Sequence, residues 1–168
     1  MNNDSKWGIG MKEVERAYLA GLFDGEGCAS VVYSHYTHMT KNGKKLYPKH
    51  AVYLVISNTD PRILKEFLLL IGKGGLYTQK NIHTIRITQA SEIIEMIEII
   101  KPYIRVKKHD LRNLENAARF ILKLRGSSKK HTWTDEETKK FQEFADQSKA
   151  LKGGGKRRGR PRIYPLKQ

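Results

Sequence analysis

Asp24 and Glu26 stand on either side of Gly25, at the end of the apolar run Ala17-Tyr-Leu-Ala-Gly-Leu-Phe23. Two carboxylates at that place are chemically conspicuous. A helix ends in carbonyls that lack intrahelical partners and carry partial negative charge, so acids in its last turn are repelled unless something positive is held there. The pair therefore predicts that something positive is bound nearby.

The elements that must position the pair follow from apolar period. Residues 12 to 24 fit one helix, with Val14, Tyr18 and Leu22 on one side and Ala17, Ala20, Gly21 and Gly25 on another. The second side has almost no side chains, and small residues at that spacing let another backbone approach closely. The partner is either a second copy or an element of the same subunit. The β-favouring run Cys28 to Tyr36, a polar loop Thr37 to Lys45 and the run Ala51 to Ser57 make a long hairpin. Asp60-Pro61 supplies a cap and a first-turn proline for a helix that stops at Gly72. Leu76 to Gln79 and Ile82 to Thr88 form a second hairpin around Lys80-Asn81. Ser91 is placed as the cap of a third helix carrying Ile93, Ile94, Ile97 and Ile100. A fourth helix runs from about Lys107 to Arg125, with Leu111, Leu114, Ala118, Ile121 and Leu122 inward.

This order gives an α+β domain with an antiparallel four-stranded sheet and helices on one of its faces. The other face stays open. Alternation puts Tyr53, Val55 and Ser57 of the second strand and Thr84, Arg86 and Thr88 of the fourth on that face, with Lys44, Lys45, Lys49 and Lys80 at the hairpin ends. Tyr33 and His35 of the first strand are placed with them. Such a surface suits a nucleic acid, and a merely solvated face reads similarly.

Charge narrows the partners. The 168-residue chain has 32 Lys and Arg against 17 Asp and Glu, a net +15 that favours polyanions such as nucleic acid or an acidic membrane surface, or simply marks a soluble basic protein. The lone Cys28 rules out an internal disulfide framework and a Cys-rich zinc site, and His35 and His38 lack partners at zinc spacing. Met1-Asn-Asn-Asp-Ser-Lys6 precedes no apolar export segment, and Phe67 to Ile71 is too short to cross a bilayer. The expectation is an intracellular protein of cytoplasm, nucleoid or organelle matrix, neither secreted nor membrane-bound. Three segments are expected: a main domain over 1–126, a helical extension over 127–152 opened by the capping box Thr134-Asp-Glu-Glu137, and a basic tail over 153–168. From Gly126 onward there are 12 Lys and Arg against five Asp and Glu.

Leu19-Ala-Gly-Leu-Phe-Asp-Gly-Glu-Gly27 resembles the LAGLIDADG signature of homing endonucleases, with six of nine positions identical. Phe23 stands for Ile, Gly25 for Ala and Glu26 for the second Asp. The resemblance covers about residues 12 to 125, whose element order is also the family's. It implies a site-specific, double-strand DNA endonuclease that reads a long, near-palindromic target with paired sheets in successive major grooves. Chains with one signature work as homodimers, here through Ala17, Ala20 and Gly21, with Mg²⁺ or Mn²⁺ as cofactor and Ca²⁺ supporting binding without cleavage.

By the same resemblance the metal site is made of Glu26 as main ligand, the Gly25 carbonyl as a second, and Asp24, an acid of more structural role at the helix end. Pro102-Tyr-Ile-Arg-Val-Lys-Lys108 looks like the family's stretch in which a lysine approaches the active site, and Lys107 is the best match. Asn58 takes the place of a water-positioning residue, and Arg62 is placed to reach a phosphate. Arg158-Gly-Arg-Pro-Arg162 resembles an AT-hook, which puts Arg158, Arg160 and Arg162 in a minor groove; a solubilising tail is the alternative. Against the endonuclease stands a binding protein on the same scaffold, either an RNA maturase with intron RNA as partner or a non-cleaving DNA-binding regulator.

Overall fold

The computed structural model describes residues 11–41, 43–72, 74–126 and 131–153. Helix α1 (Glu13–Glu26) leads straight into strand β1 (Gly27–Thr40), which is paired with β2 (Gly43–Asn58). Helix α2 (Pro61–Ile71) follows, then β3 (Gly75–Gln79) and β4 (Ile82–Ile87), and then α3 (Ala90–Ile100), α4 (Lys108–Arg125) and α5 (Asp135–Leu151). The four strands form one antiparallel sheet in the order β1-β2-β4-β3, as expected for the α+β class.

Local chemistry explains most boundaries. The Asp60 side chain accepts the Arg62 N–H at 2.9 Å and Pro61 occupies the first turn of α2, which ends at Gly72 with φ 66°, a conformation that favours glycine. At the α1–β1 junction a Cβ on Gly27 would collide with the ring and carbonyl of Phe23, so only glycine lets the helix turn directly into the strand. Thr134 and Glu137 cap α5 reciprocally, at 3.2 and 2.9 Å.

Several expectations are corrected. Residues 37–40 and 43–50, placed in a loop or left between elements, belong to the ladder that runs from Tyr33↔His50 to Thr40↔Gly43, and residues 35–41 and 43–46 of this arm are exposed. Ser91 does not cap α3, which starts at Ala90 after an extended Gln89. Leu122 is 40% exposed, and Ala117 fills the inward position beside Ala118 instead.

The core lies between the sheet and the helices. Ala29, Val31, Val52, Leu54, Ile56, Ile85 and Ile87 face Leu19 and Phe23 of α1, Leu64 and Phe67 of α2, the α3 stripe and Leu111 and Leu114 of α4. Helix α5 closes the β1 edge: Phe141 and Ala145 are fully buried, and Ser148 Oγ accepts the Val31 N–H at 3.2 Å. An edge N–H that would otherwise face solvent is thereby satisfied. Trp133 stacks on His50 at 3.7 Å between ring centroids, and Asn113 donates to the Phe144 carbonyl at 2.9 Å.

Candidate active site and nucleic-acid interface

The last turn of α1 meets the first turn of α4. One Asp24 carboxylate oxygen accepts the N–H groups of Arg105 at 2.7 Å and Val106 at 3.2 Å, and the other accepts that of Lys107 at 3.0 Å. In return Lys107 Nζ donates to the carbonyls of Phe23 at 3.1 Å, Asp24 at 2.6 Å and Gly25 at 3.3 Å. Each residue caps the other's helix: an acid supplies acceptors at the start of α4, and an ammonium fills the carbonyl end of α1. Burial pushes the Asp24 carboxyl up, but the three N–H bonds and the Lys107 charge outweigh it and leave it below its ordinary value.

Lys107 thus places one positive charge at the carbonyl end of α1, beside Asp24. Glu26 is different. It is exposed and makes no hydrogen bond or ion pair among the described residues, and Gly25 beside it is also exposed. Because Gly27 pairs with Ile56, Asn58 leaves the sheet at this same end. Its side-chain oxygen accepts the Asp60 N–H at 2.8 Å, holding the turn into α2. Arg62 is exposed at the start of α2 and grips Asp60 at 2.6 Å, which pulls the Asp60 carboxyl down to about 2.

On the open face, Arg86 lies 5.3 Å from the centre of the Tyr53 ring, and Lys49 Nζ lies 5.9 Å from it. Ser57 and Thr84 hydroxyls bond at 2.9 Å across the β2–β4 pair, and Thr88 follows exposed on the same register. Toward the hairpin tip, Lys45 lies 5.4 Å from the Tyr47 ring, which stacks on Tyr36. Lys80 sits at the β3–β4 turn with φ 57°, an unusual conformation for a residue with a Cβ. Tyr36, Tyr47 and Tyr77 belong to this face and were not singled out from sequence, although extending the period-two pattern through both arms reaches them.

Tyr33, His35 and Lys44 do not share that face. They carry the register of Val31 and Val52, which faces the helices, and Tyr33 packs 5.3 Å from His50. On α1, Ala20 is fully buried within its own subunit, a correction to its grouping with Ala17 and Gly21. Those two are exposed, and with Val14, Tyr18 and Gly25 they form an uncovered stripe. A Cβ at Gly21 or Gly25 would meet nothing within 4 Å. Arg158, Arg160 and Arg162 lie outside the described residues.

No protein-family model matches the chain, and no curated protein does. Solved structures do match. The homing endonuclease I-CvuI, in complex with the I-CreI target in 2 mM Mg with the DNA not cleaved, aligns over 86% of both chains with a TM-score of 0.68 and 18% identity. The chain has the LAGLIDADG homing-endonuclease fold. The archaeal intron-encoded I-Vdi141I complexed with DNA is similar at TM-score 0.62 and 16% identity, over 83% of this chain and 84% of that one. I-TnaI is similar at 0.60 and 19%, over 82% and 92%. Within the LAGLIDADG homing-endonuclease fold this chain puts its signature on α1, its acids at the α1–β1 junction, and its cationic and aromatic side chains on the sheet face that the helices leave bare.

Proposed function

We propose that this chain is a site-specific DNA endonuclease that works as a two-fold homodimer with a divalent metal, as the signature resemblance implies. The observation that carries the reading is Glu26: a carboxylate with no partner among the described residues, at the end of a helix whose uncovered outer stripe sets the small Ala17, Gly21 and Gly25 beside Val14 and Tyr18. Pairing two such stripes brings two copies of Glu26 together, and repulsion between them is relieved by a cation.

The donor set suits a hard ion. Glu26 offers carboxylate oxygens, and the converging carbonyls of residues 23–25 already hold one positive charge, the Lys107 ammonium. Among the described residues no cluster of three or more His, Cys, Asp or Glu is able to hold a metal, so one protomer offers an incomplete set that a second copy or a phosphate completes. Glu26 and the Gly25 carbonyl would hold Mg²⁺ or Mn²⁺, whereas Asp24 commits its carboxylate to three N–H groups. A metal at that place activates water and offsets charge on the phosphate. I-CvuI has been crystallised with its target in 2 mM Ca, in keeping with this choice of ion. Double-stranded DNA is the partner that fits the open face, with Tyr53, Arg86, Thr84, Thr88, Lys45 and Lys80 turned toward it and net charge +15 behind it.

The test is a plasmid carrying the uninterrupted insertion site of the chain's own gene, incubated with Mg²⁺. Wild type linearises it; Glu26→Gln retards the same duplex in a gel without cutting it. Linearisation by Glu26→Gln at the wild-type rate removes the metal assignment. A wild-type protein that binds the site yet never cuts it in Mg²⁺ or Mn²⁺ is a DNA-binding regulator, and tighter binding to the intron RNA than to the duplex makes it a maturase.

A further inference from the structure

An ammonium has three protons. Lys107 Nζ lies within 3.3 Å of three carbonyl oxygens, those of Phe23, Asp24 and Gly25, so all three of its donors are engaged. In this arrangement it has nothing left to offer a water or a phosphate. It also sits on the Gly25 carbonyl, one of the two groups proposed above to hold the divalent cation.

We infer that Lys107 is a tethered counter-cation, which closes the carbonyl end of α1 when no metal is bound and must withdraw from Gly25 when a metal arrives. The inference rests on the proposed metal role of Glu26 and Gly25. A carbonyl oxygen has two lone pairs, but an ammonium and a divalent ion held on the same one repel each other strongly at that separation, so metal entry drives Lys107 off Gly25. The lysine is well placed for it. Its backbone N–H stays pinned by Asp24 at 3.0 Å, while the four-carbon stem is free to swing. The Phe23 ring, 5.9 Å from Nζ, offers the ammonium a second resting surface. Once released, Nζ has donors available for phosphate oxygens or the attacking water, and the metal itself frees them. Lys107 in this account is a positioning residue in the apo protein that becomes available to the substrate only after loading.

Mn²⁺ binding to the full-length protein, followed by loss of the free-ion electron paramagnetic resonance signal without DNA, tests the exchange. Lys107→Met removes the competitor and should bind Mn²⁺ about ten-fold more tightly than wild type. Its melting temperature in EDTA should fall below that of wild type and recover with Mn²⁺, because the metal replaces the lost cap. Lys107→Gln, which keeps an amide donor for the carbonyls, guards against a misfolded Met variant and should also bind more tightly; Lys107→Arg, which keeps the charge, should stay near wild type. Equal or weaker Mn²⁺ binding by folded Lys107→Gln overturns the counter-cation. Glu26→Gln separates this failure from that of the underlying reading. If it leaves Mn²⁺ affinity unchanged, the metal does not bind at Glu26 at all. If it weakens binding while the Lys107 variants do nothing, only the exchange is lost.

Discussion

Asp24 and Lys107 hold each other through their backbones: the Asp24 carboxylate accepts the Lys107 N–H at 3.0 Å, and Lys107 Nζ lies 2.6 Å from the Asp24 carbonyl oxygen. Two helices distant in sequence are thus joined end to end, with opposite partial charges facing the groups that neutralise them.

Asp24→Asn should weaken this joint. The amide keeps one acceptor oxygen but turns an NH₂ toward N–H groups, so at least one of three charge-assisted bonds is lost. Because Asp24 is partly solvent-exposed, the cost should lie near the low end of about 1–3 kcal/mol. Urea unfolding of wild type and variant measures it, and an unchanged midpoint would show that water replaces the bonds without loss.

Gly21→Leu reads the dimer cleanly. In the isolated chain a Cβ at Gly21 meets nothing within 4 Å, so the leucine has room within the subunit and the monomer should stay folded. Between two closely packed α1 stripes it forces the backbones apart and costs about 1–3 kcal/mol per subunit. Sedimentation velocity should show wild-type dimers and a shift to monomers in the variant; dimers of unchanged stability would place the interface elsewhere.

Docking of α5 should loosen in mild acid. Burial, and then the charge of nearby His35, hold His50 below its ordinary pKa, and its partners Trp133, Phe141 and Tyr33 are aromatic. The unfolded chain therefore binds more protons. Stability is full above the unfolded value of about 6.5 and declines as pH falls from there to the depressed folded value. Trp133 fluorescence in a Trp7→Phe background should report an earlier thermal transition at pH 5.5 than at pH 7.5, and His50→Phe should abolish the difference.

Removing residues 154–168 deletes Lys156, Arg157, Arg158, Arg160, Arg162 and Lys167. If all six meet phosphates, the slope of log affinity against log salt flattens by about 5. Filter binding from 50 to 200 mM salt measures it, and identical slopes would mean that the tail does not touch DNA.

Some of this was legible in residue order alone. Period and caps are local properties, so Leu19 to Gly27 announced a helix ending in carboxylates, and Asp60-Pro61 announced α2. The strict alternation of Val52, Leu54 and Ile56 with Tyr53, Val55 and Ser57 assigned two faces of β2 before any packing was known. Tertiary structure alone decided the rest. Ala17, Ala20 and Gly21 are small enough to suit a core or an interface, and only the fold buried Ala20 and left the other two outside. Val31 and Val32 are both apolar, so the parity of Tyr33 and His35 came from the ladder with β2. The partner of Asp24 lies 81 residues downstream, on backbone N–H groups that have no side-chain signature to read. Spacing along a chain fixes which residues share a face; only packing fixes what that face meets.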